Sequence, residues 1–257
     1  MKQEQLHSGL KRLFLHAIAK DYLQVAKDHE KHQRSYEQYL LSLVEIELRE
    51  KDRIKTQRLI KEAKIPLVKL VEEFDFSSRT GINAQEVARL SDGQWVKSGS
   101  NVVLYGNFGL GKTHLAMAIT RNLCQKGYRC LYISATAFIN ELCVAQKSLT
   151  LSTLLKKLDR FDLIAIDELG YIAQTQEGAD LFFQVISQRY ERKSLMITTN
   201  LVYSDWDKVF LSKISTAAAV DKIIHHCETF NIQGPRWREK TAKQNLAKKQ
   251  KNEVALM

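Results

Sequence analysis

Proline and cysteine are scarce in this 257-residue chain, with two of the first and four of the second. So little proline excludes a collagen-like or proline-rich fibre, and a hydrophobic content of 44% excludes a disordered chain. Cys124, Cys130, Cys143 and Cys227 lack the paired spacing of zinc ligands and sit among residues typical of core helices and strands. Unpaired thiols suit a reducing compartment better than a secreted scaffold, so the expected location is the cytoplasm. The opening residues, MKQEQLH, lack the apolar run of a signal peptide. No window approaches the length of apolar run that spans a bilayer, so no membrane partner is expected.

Charge, by contrast, is plentiful and unevenly spread within a net +10. Residues 1–69 hold 15 Lys and Arg against 10 Asp and Glu, and residues 236–257 hold 7 against 2. The stretch between them is balanced at 17 against 17, so each end carries a surplus of five and the centre none. A basic excess gathered outside a neutral core is the footprint of a polyanion partner, nucleic acid first.

The chain opens with helical periodicity. Leu10, Leu13, Phe14, Ala17, Ile18, Tyr22 and Val25 recur at three- and four-residue steps and predict one helical stripe. Ser35 and Gln38 have the spacing of a capping box that starts a second helix, with Tyr36, Leu40, Leu43 and Val44 as its apolar face. Glu45/Arg49 and Glu47/Lys51 pair along a solvated continuation, and Pro66 stops it. Residues 1–66 therefore read as a small all-helical domain for DNA binding or self-assembly. Residues 67–235 read as an α/β domain whose first part, to about 82, is a linker, and 236–257 as a basic tail. Strands are expected at 101–105, 129–134, 162–166 and 194–199. Helices are expected at 112–126, closed by Gly127, and at 136–146, 149–158 and 177–192. Alternation of this kind makes a mostly parallel sheet covered on both faces.

Gly106-Asn107-Phe108-Gly109-Leu110-Gly111-Lys112-Thr113 satisfies the phosphate-loop pattern at every required position, between a strand and a helix. Its glycines let backbone N–H groups curl around phosphates, and the next helix turns its positive end toward them. These residues, with His114 beyond them, are the expected nucleotide ligands. Lys112 is expected at the β- and γ-phosphates and the Thr113 hydroxyl on Mg²⁺. The apolar run 163–166 leads into Asp167 and Glu168, the first suited to the Mg²⁺ shell and the second to polarising a water. Asn200, after the strand 194–199, is expected to orient that water. Asp167-Glu-Leu-Gly170 also fits a GTPase element, yet no guanine-reading N-K-x-D follows, so ATP is the expected nucleotide.

His29-x-x-His32 reads as part of a solvated helix face, and His225-His226 as a locally satisfied helix end. Trp95 and Trp206 read as packing residues. Trp237, among arginines, is suited to stacking on nucleic acid.

The run Gly-Lys112-Thr-His-Leu-Ala, Ile166-Asp-Glu-Leu-Gly-Tyr171, Arg189-Tyr-Glu-Arg192, Thr199-Asn-Leu, Trp206-x-x-Val-Phe210 and His225-His226 resembles IstB. Those proteins are ATPase helpers encoded beside the transposase in a group of bacterial insertion sequences. The likeness spans about residues 10–240, including Phe74-Asp-Phe. It implies an AAA+ fold near the DnaC and DnaI helicase loaders. It also implies an ATP-dependent homo-oligomer on double-stranded DNA and a cognate transposase as partner. A loader of a replicative helicase is the alternative within the same fold. Two positions depart from the family pattern. Asn107-Phe108 stand where proline is usual, and Asp221-Lys222 stands where the family has Asp-Arg, whose arginine resembles a finger reaching a neighbour's ATP. Lys222 is thus the implied catalytic group in trans, with Arg189 or Arg192 as alternatives, and Arg238 matches an arginine that could sense the γ-phosphate.

Overall fold

A computed structural model describes residues 2–170 and 175–235, which divide into two compact units, one ending at Arg58 and the other starting at Leu59. Arg238, Trp237 and the rest of the basic tail lie outside the described residues, as does Tyr171.

The first unit holds α1 (Lys2–Arg12), α2 (His16–Lys31) and most of α3 (Tyr36–Glu62). The single stripe predicted over Leu10–Val25 is broken at Phe14. Its φ of 59° lets the amides of Phe14 and Leu15 close back on the carbonyls of Lys11 and Leu10, a helix stop that more often carries glycine. Leu10 and Leu15 then pack against Ile18, Tyr22 and Leu43, while Leu13 and Phe14 stay exposed. The Ser35–Gln38 capping box is present, its two bonds 3.1 and 3.2 Å long. The inward line of α3 is nevertheless half-buried Tyr39 with buried Leu43 and Glu47. Tyr36, Leu40 and Val44, predicted to face inward, are exposed. His29 also departs from its solvated reading: it is buried, with Nε2 3.1 Å from Ser42 Oγ.

Glu47 explains the shift of the buried line. Leu15, at the cap of α2, offers no side-chain acceptor. Glu47 Oε2 accepts the amides of Ala17 and Ile18 at 2.9 and 3.1 Å instead, while Lys51 sits 3.6 Å from Oε1. An anion at a helix start meets orphan N–H groups and the positive end of the dipole.

In the second unit, Leu59 and Ala63 join the core, and α3 has ended before Pro66. A short 3₁₀ turn at Val71–Glu73 precedes α4 (Ala84–Asp92) and α5 (Gln94–Lys97). Then come β1 (Asn101–Tyr105), α6 (Lys112–Gln125), β2 (Cys130–Ser134), α7 (Ala135–Lys147), α8 (Leu151–Leu158), β3 (Leu163–Leu169) and α9 (Gln176–Arg189). The unit continues with β4 (Ser194–Thr199), α10 (Asp207–Phe210), α11 (Lys213–Ile224) and β5 (Cys227–Asn231). Gly127 closes α6 with φ 93°, the amides of Gly127 and Tyr128 reaching back to Cys124 and Leu123.

The strands form one parallel sheet in the order β2-β3-β4-β1-β5, with β4 inserted between the phosphate-loop strand and β3. This is the AAA+ arrangement. Side chains alternate across it. Val102, Leu104, Leu163, Ala165 and Met196 pack toward α4, α5 and α6, with Trp95 among them. Val103, Ile164, Ile166, Leu195 and Ile197 pack toward α7, α9, α10 and α11, around Trp206.

Replacing Glu47 by alanine should destabilise the start of α2 by about 2 kcal/mol, the loss of a charged cap with two amide bonds. Hydrogen exchange at the Ala17 and Ile18 amides should accelerate accordingly. Unchanged protection there would refute the capping role.

Candidate active site

After β1 the chain turns at Gly106, where φ is 146° and an added Cβ would sit 2.2 Å from the Ile232 carbonyl oxygen. Only glycine passes this point. The loop then rises to Lys112, the first residue of α6. Lys112 Nζ donates to the Gly106 and Asn107 carbonyls at 2.8 and 2.9 Å, so the ammonium lies across its own loop. Burial lowers its pKa from the ordinary lysine value, and the charges of Asp167 and Glu168 partly oppose that.

Asp167 is only 5% exposed, and three hydroxyls meet it. Tyr132 of β2 donates to Oδ2 at 2.7 Å, Thr198 of β4 to Oδ1 at 2.5 Å, and Thr113 of the loop to Oδ1 at 3.1 Å. Register accounts for two of them. Tyr132 pairs with Ala165, two residues before Asp167 and on the same face, and β4 brings Met196 opposite Ala165 with Thr198 two residues further on. The bonded, buried Tyr132 phenol is pushed far above its ordinary pKa, chiefly by burial and then by the Asp167 charge.

The acidic pair does not end its strand as predicted. β3 runs on to Leu169, and its register with β4 shifts between Ile166 and Leu169. Asp167 and Glu168 together occupy the space opposite Thr198, a β-bulge. Glu168 takes φ 63°, and its amide bonds Thr198 Oγ1 at 2.9 Å. The inserted residue resets the alternation. Leu169 returns to the α7/α9 core, Asp167 keeps the phosphate-loop face, and the Glu168 side chain is left exposed.

A cavity of about 390 Å³ opens here, lined by the loop from Phe108 to Thr113, His114, Glu168 and Asn200. Asn200 Oδ1 is buried without a hydrogen-bond partner. Phe74 and Arg79, from the segment read as a linker, form the other wall. Arg79 Nε donates to the Leu110 carbonyl at 3.3 Å, and the His114 ring bonds the Leu70 carbonyl at 2.7 Å. Sequence reading missed Arg79, Tyr132 and Thr198 as site groups. The last two carried one signal, a polar side chain directly after apolar residues within a strand.

Lys222 stands elsewhere, on α11. Its Nζ donates to Ser187 Oγ at 2.8 Å and lies 5.2 Å from the Phe183 ring centre. Arg189 cannot reach a neighbour. It is 3% exposed and donates to the carbonyls of Leu158, Phe161, Asp162 and Ser194, and burial pulls its pKa down to about 10. Arg192 is exposed, 3.2 Å from Asp159. His225 and His226 are satisfied locally. Both rings face Glu191, at 3.6 and 3.4 Å, and His225 Nδ1 bonds the Tyr190 hydroxyl at 2.8 Å.

The family model for IstB-like ATP-binding proteins matches residues 8–245. This chain belongs to that family. Among its relatives is the ATP-binding protein of insertion sequence IS5376 from Geobacillus stearothermophilus, 30% identical over 96% of this chain and all of that one. The IS21 ATP-binding protein of Pseudomonas aeruginosa is 30% identical over 92% of this chain and 89% of its own length. An insertion-sequence ATP-binding protein of Sinorhizobium fredii is 36% identical over 79% and 69%. Among solved structures, AMPPCP-bound DnaA from Aquifex aeolicus shares the fold with a TM-score of 0.54 and 20% identity. The match covers 72% of this chain and 56% of that one. DnaI shares it at 0.50 and 19% identity, over 70% and 92%. Membership makes the chain an ATP-binding protein of the insertion-sequence type. Among the described residues, no helix is long and apolar enough to cross a membrane.

The contrast between the two arginines is measurable. Arg189→Ala removes the hydrogen bonds to four carbonyls from the interior and should cost about 3 kcal/mol in urea unfolding. Arg192→Ala, at a solvated pair, should stay within about 0.5 kcal/mol. Equal costs would refute the structural assignment of Arg189.

Proposed function

We propose that this protein hydrolyses ATP with Mg²⁺ and assembles on double-stranded DNA as the helper of a transposase. The observation that carries the enzymatic part is convergence. Lys112, Thr113, Asp167, Glu168 and Asn200 come from separate segments and meet around one cavity.

Each group has a role that its surroundings support. The amides that open α6 and the Lys112 ammonium bind the phosphates, Lys112 exchanging its loop carbonyls for phosphate oxygens. Thr113 and Asp167 offer a hydroxyl and a carboxylate 3.1 Å apart, an all-oxygen set that fits a small hard cation. When bound, Mg²⁺ neutralises charge on the β- and γ-phosphate oxygens. Glu168 accepts a proton as a water oxygen attacks the γ-phosphorus and the bond to the ADP oxygen breaks. Asn200 holds that water through its unpartnered Oδ1. Phe74 and Arg79 border the remaining cavity.

Lys222 is the basic group we assign to a neighbour's nucleotide. Lysine brings a point charge without the bidentate fork of arginine, which suits slow turnover and long-lived assemblies. It must first leave Ser187. Arg238 is assigned to the γ-phosphate of its own subunit on the family likeness alone. The transposase partnership rests on relatives named for insertion sequences and is tested by the gene beside this one, where a transposase should stand. The two basic ends are the proposed DNA contacts.

Lys112→Ala should abolish ATP binding, whereas Glu168→Gln should bind ATP and hydrolyse it at least ~100-fold more slowly, the scale of a lost general base. Wild-type affinity should fall as pH rises through the lowered Lys112 pKa, because the ammonium is lost there, below the range of an ordinary lysine. Unchanged ATP affinity in Lys112→Ala overturns the site. For DNA, affinity should drop steeply between low and high salt as bound counterions are released, and removing residues 236–257 should flatten that slope while ATP binding stays intact. A slope indifferent to the tail would rule out its contact with phosphates.

A further inference from the structure

Thr198 plays no part in the roles above, yet its one hydroxyl hydrogen-bonds both acidic residues. Its hydroxyl donates to Asp167 Oδ1 at 2.5 Å and accepts the Glu168 amide at 2.9 Å. It is 1% exposed and sits on β4 where the bulge puts two residues of β3 opposite one. We infer that Thr198 is a positioning residue that sets the cation-binding carboxylate and the hydrolytic glutamate as one unit.

The bulge explains why a hydroxyl is needed. Glu168 is the inserted residue, left with φ 63° and with its amide directed to a side chain instead of a β4 carbonyl. A non-glycine residue in that region stays only where its surroundings hold it. One hydroxyl can donate once and accept at the same time. Thr198 therefore satisfies the orphan amide and orients the carboxylate beside it in one group. Tyr132 makes a useful contrast. Its phenol bonds Asp167 Oδ2 at 2.7 Å, and no bond joins it to Glu168. Loss of Tyr132 should disturb the cation alone. Loss of Thr198 should disturb the cation and the chemical step together.

This inference rests on the ATPase reading, and the test separates the two. The full chain and its variants Thr198→Val, Thr198→Ser and Tyr132→Phe would be titrated with a fluorescent ATP analogue, in EDTA and at graded Mg²⁺. Steady-state hydrolysis at saturating Mg²⁺ and thermal unfolding would accompany each titration. Thr198→Val should bind the analogue normally in EDTA, need about tenfold more Mg²⁺ for tight binding, and lose about tenfold or more in kcat at saturating Mg²⁺. Thr198→Ser should restore both to within about twofold, and Tyr132→Phe should raise only the Mg²⁺ requirement. If the valine chain fails to fold, Thr198→Ala carries the same expectations.

Wild-type values in Thr198→Val overturn the inference. So does a loss that serine fails to rescue, or one that appears equally in EDTA, since either would mark a packing role. A wild-type protein that binds Mg²⁺ and the analogue without hydrolysing ATP overturns the enzymatic reading instead, and the Mg²⁺ titration of Thr198→Val then decides the inference.

Discussion

A carboxylate withdrawn from water must be met by donors, and Asp167 is met by hydroxyls from the phosphate loop, β2 and β4. The rest of the site hangs on that meeting. It requires β3 to lie between β2 and β4 with Asp167 on the α6 face. A slip of one residue in either pairing would turn the partner hydroxyl to the opposite face. The apolar residues of the two sheet faces fix that register. Core packing and site geometry are therefore a single specification here. Mutations in the buried β4 run Leu195–Ile197 would reach the nucleotide through strand register, without contacting it.

Much of this was legible in the sequence because its signals are local. The phosphate loop needs glycines and a lysine at fixed spacing, and the capping box at Ser35 and the close of α6 at Gly127 depend on neighbours a few residues away. The alternation of strand and helix followed from the same short-range patterns. What stayed hidden depends on partners distant in the chain. Glu47 reads as a solvated charge beside Lys51 until α2 presents its bare amides. Arg189 reads as a surface cation until four carbonyls surround it. Strand β5, Cys227–Asn231, has no apolar run, because only Phe230 along it is buried. The β3 bulge was hidden for a different reason. Two acids in a row look like the end of a strand, and only the return of Leu169 to the core shows that pairing continues.

The family and the site answer different questions. The fold shared with DnaA and DnaI at about a fifth identity concerns architecture, and unrelated tasks can occupy one architecture. Two of the insertion-sequence relatives extend over more than nine tenths of the chain, and these likenesses speak to the biological setting. Neither explains why Glu168 stands out from its strand. The bulge does, since it spends one residue of pairing to keep two adjacent acids from pointing to opposite faces of the sheet.

Gly106 carries a consequence for how this protein can age. Its missing side chain makes room for the Ile232 carbonyl oxygen, a demand of the fold that would exist with no nucleotide present. A decaying genomic copy, released from selection for activity but still required to fold, would keep that glycine. Lys112 has no comparable hold, since its bonds are to the carbonyls of its own loop. Intact glycine at this turn is thus a poor witness to a living ATPase. The lysine is the better one, because drift would erase it first.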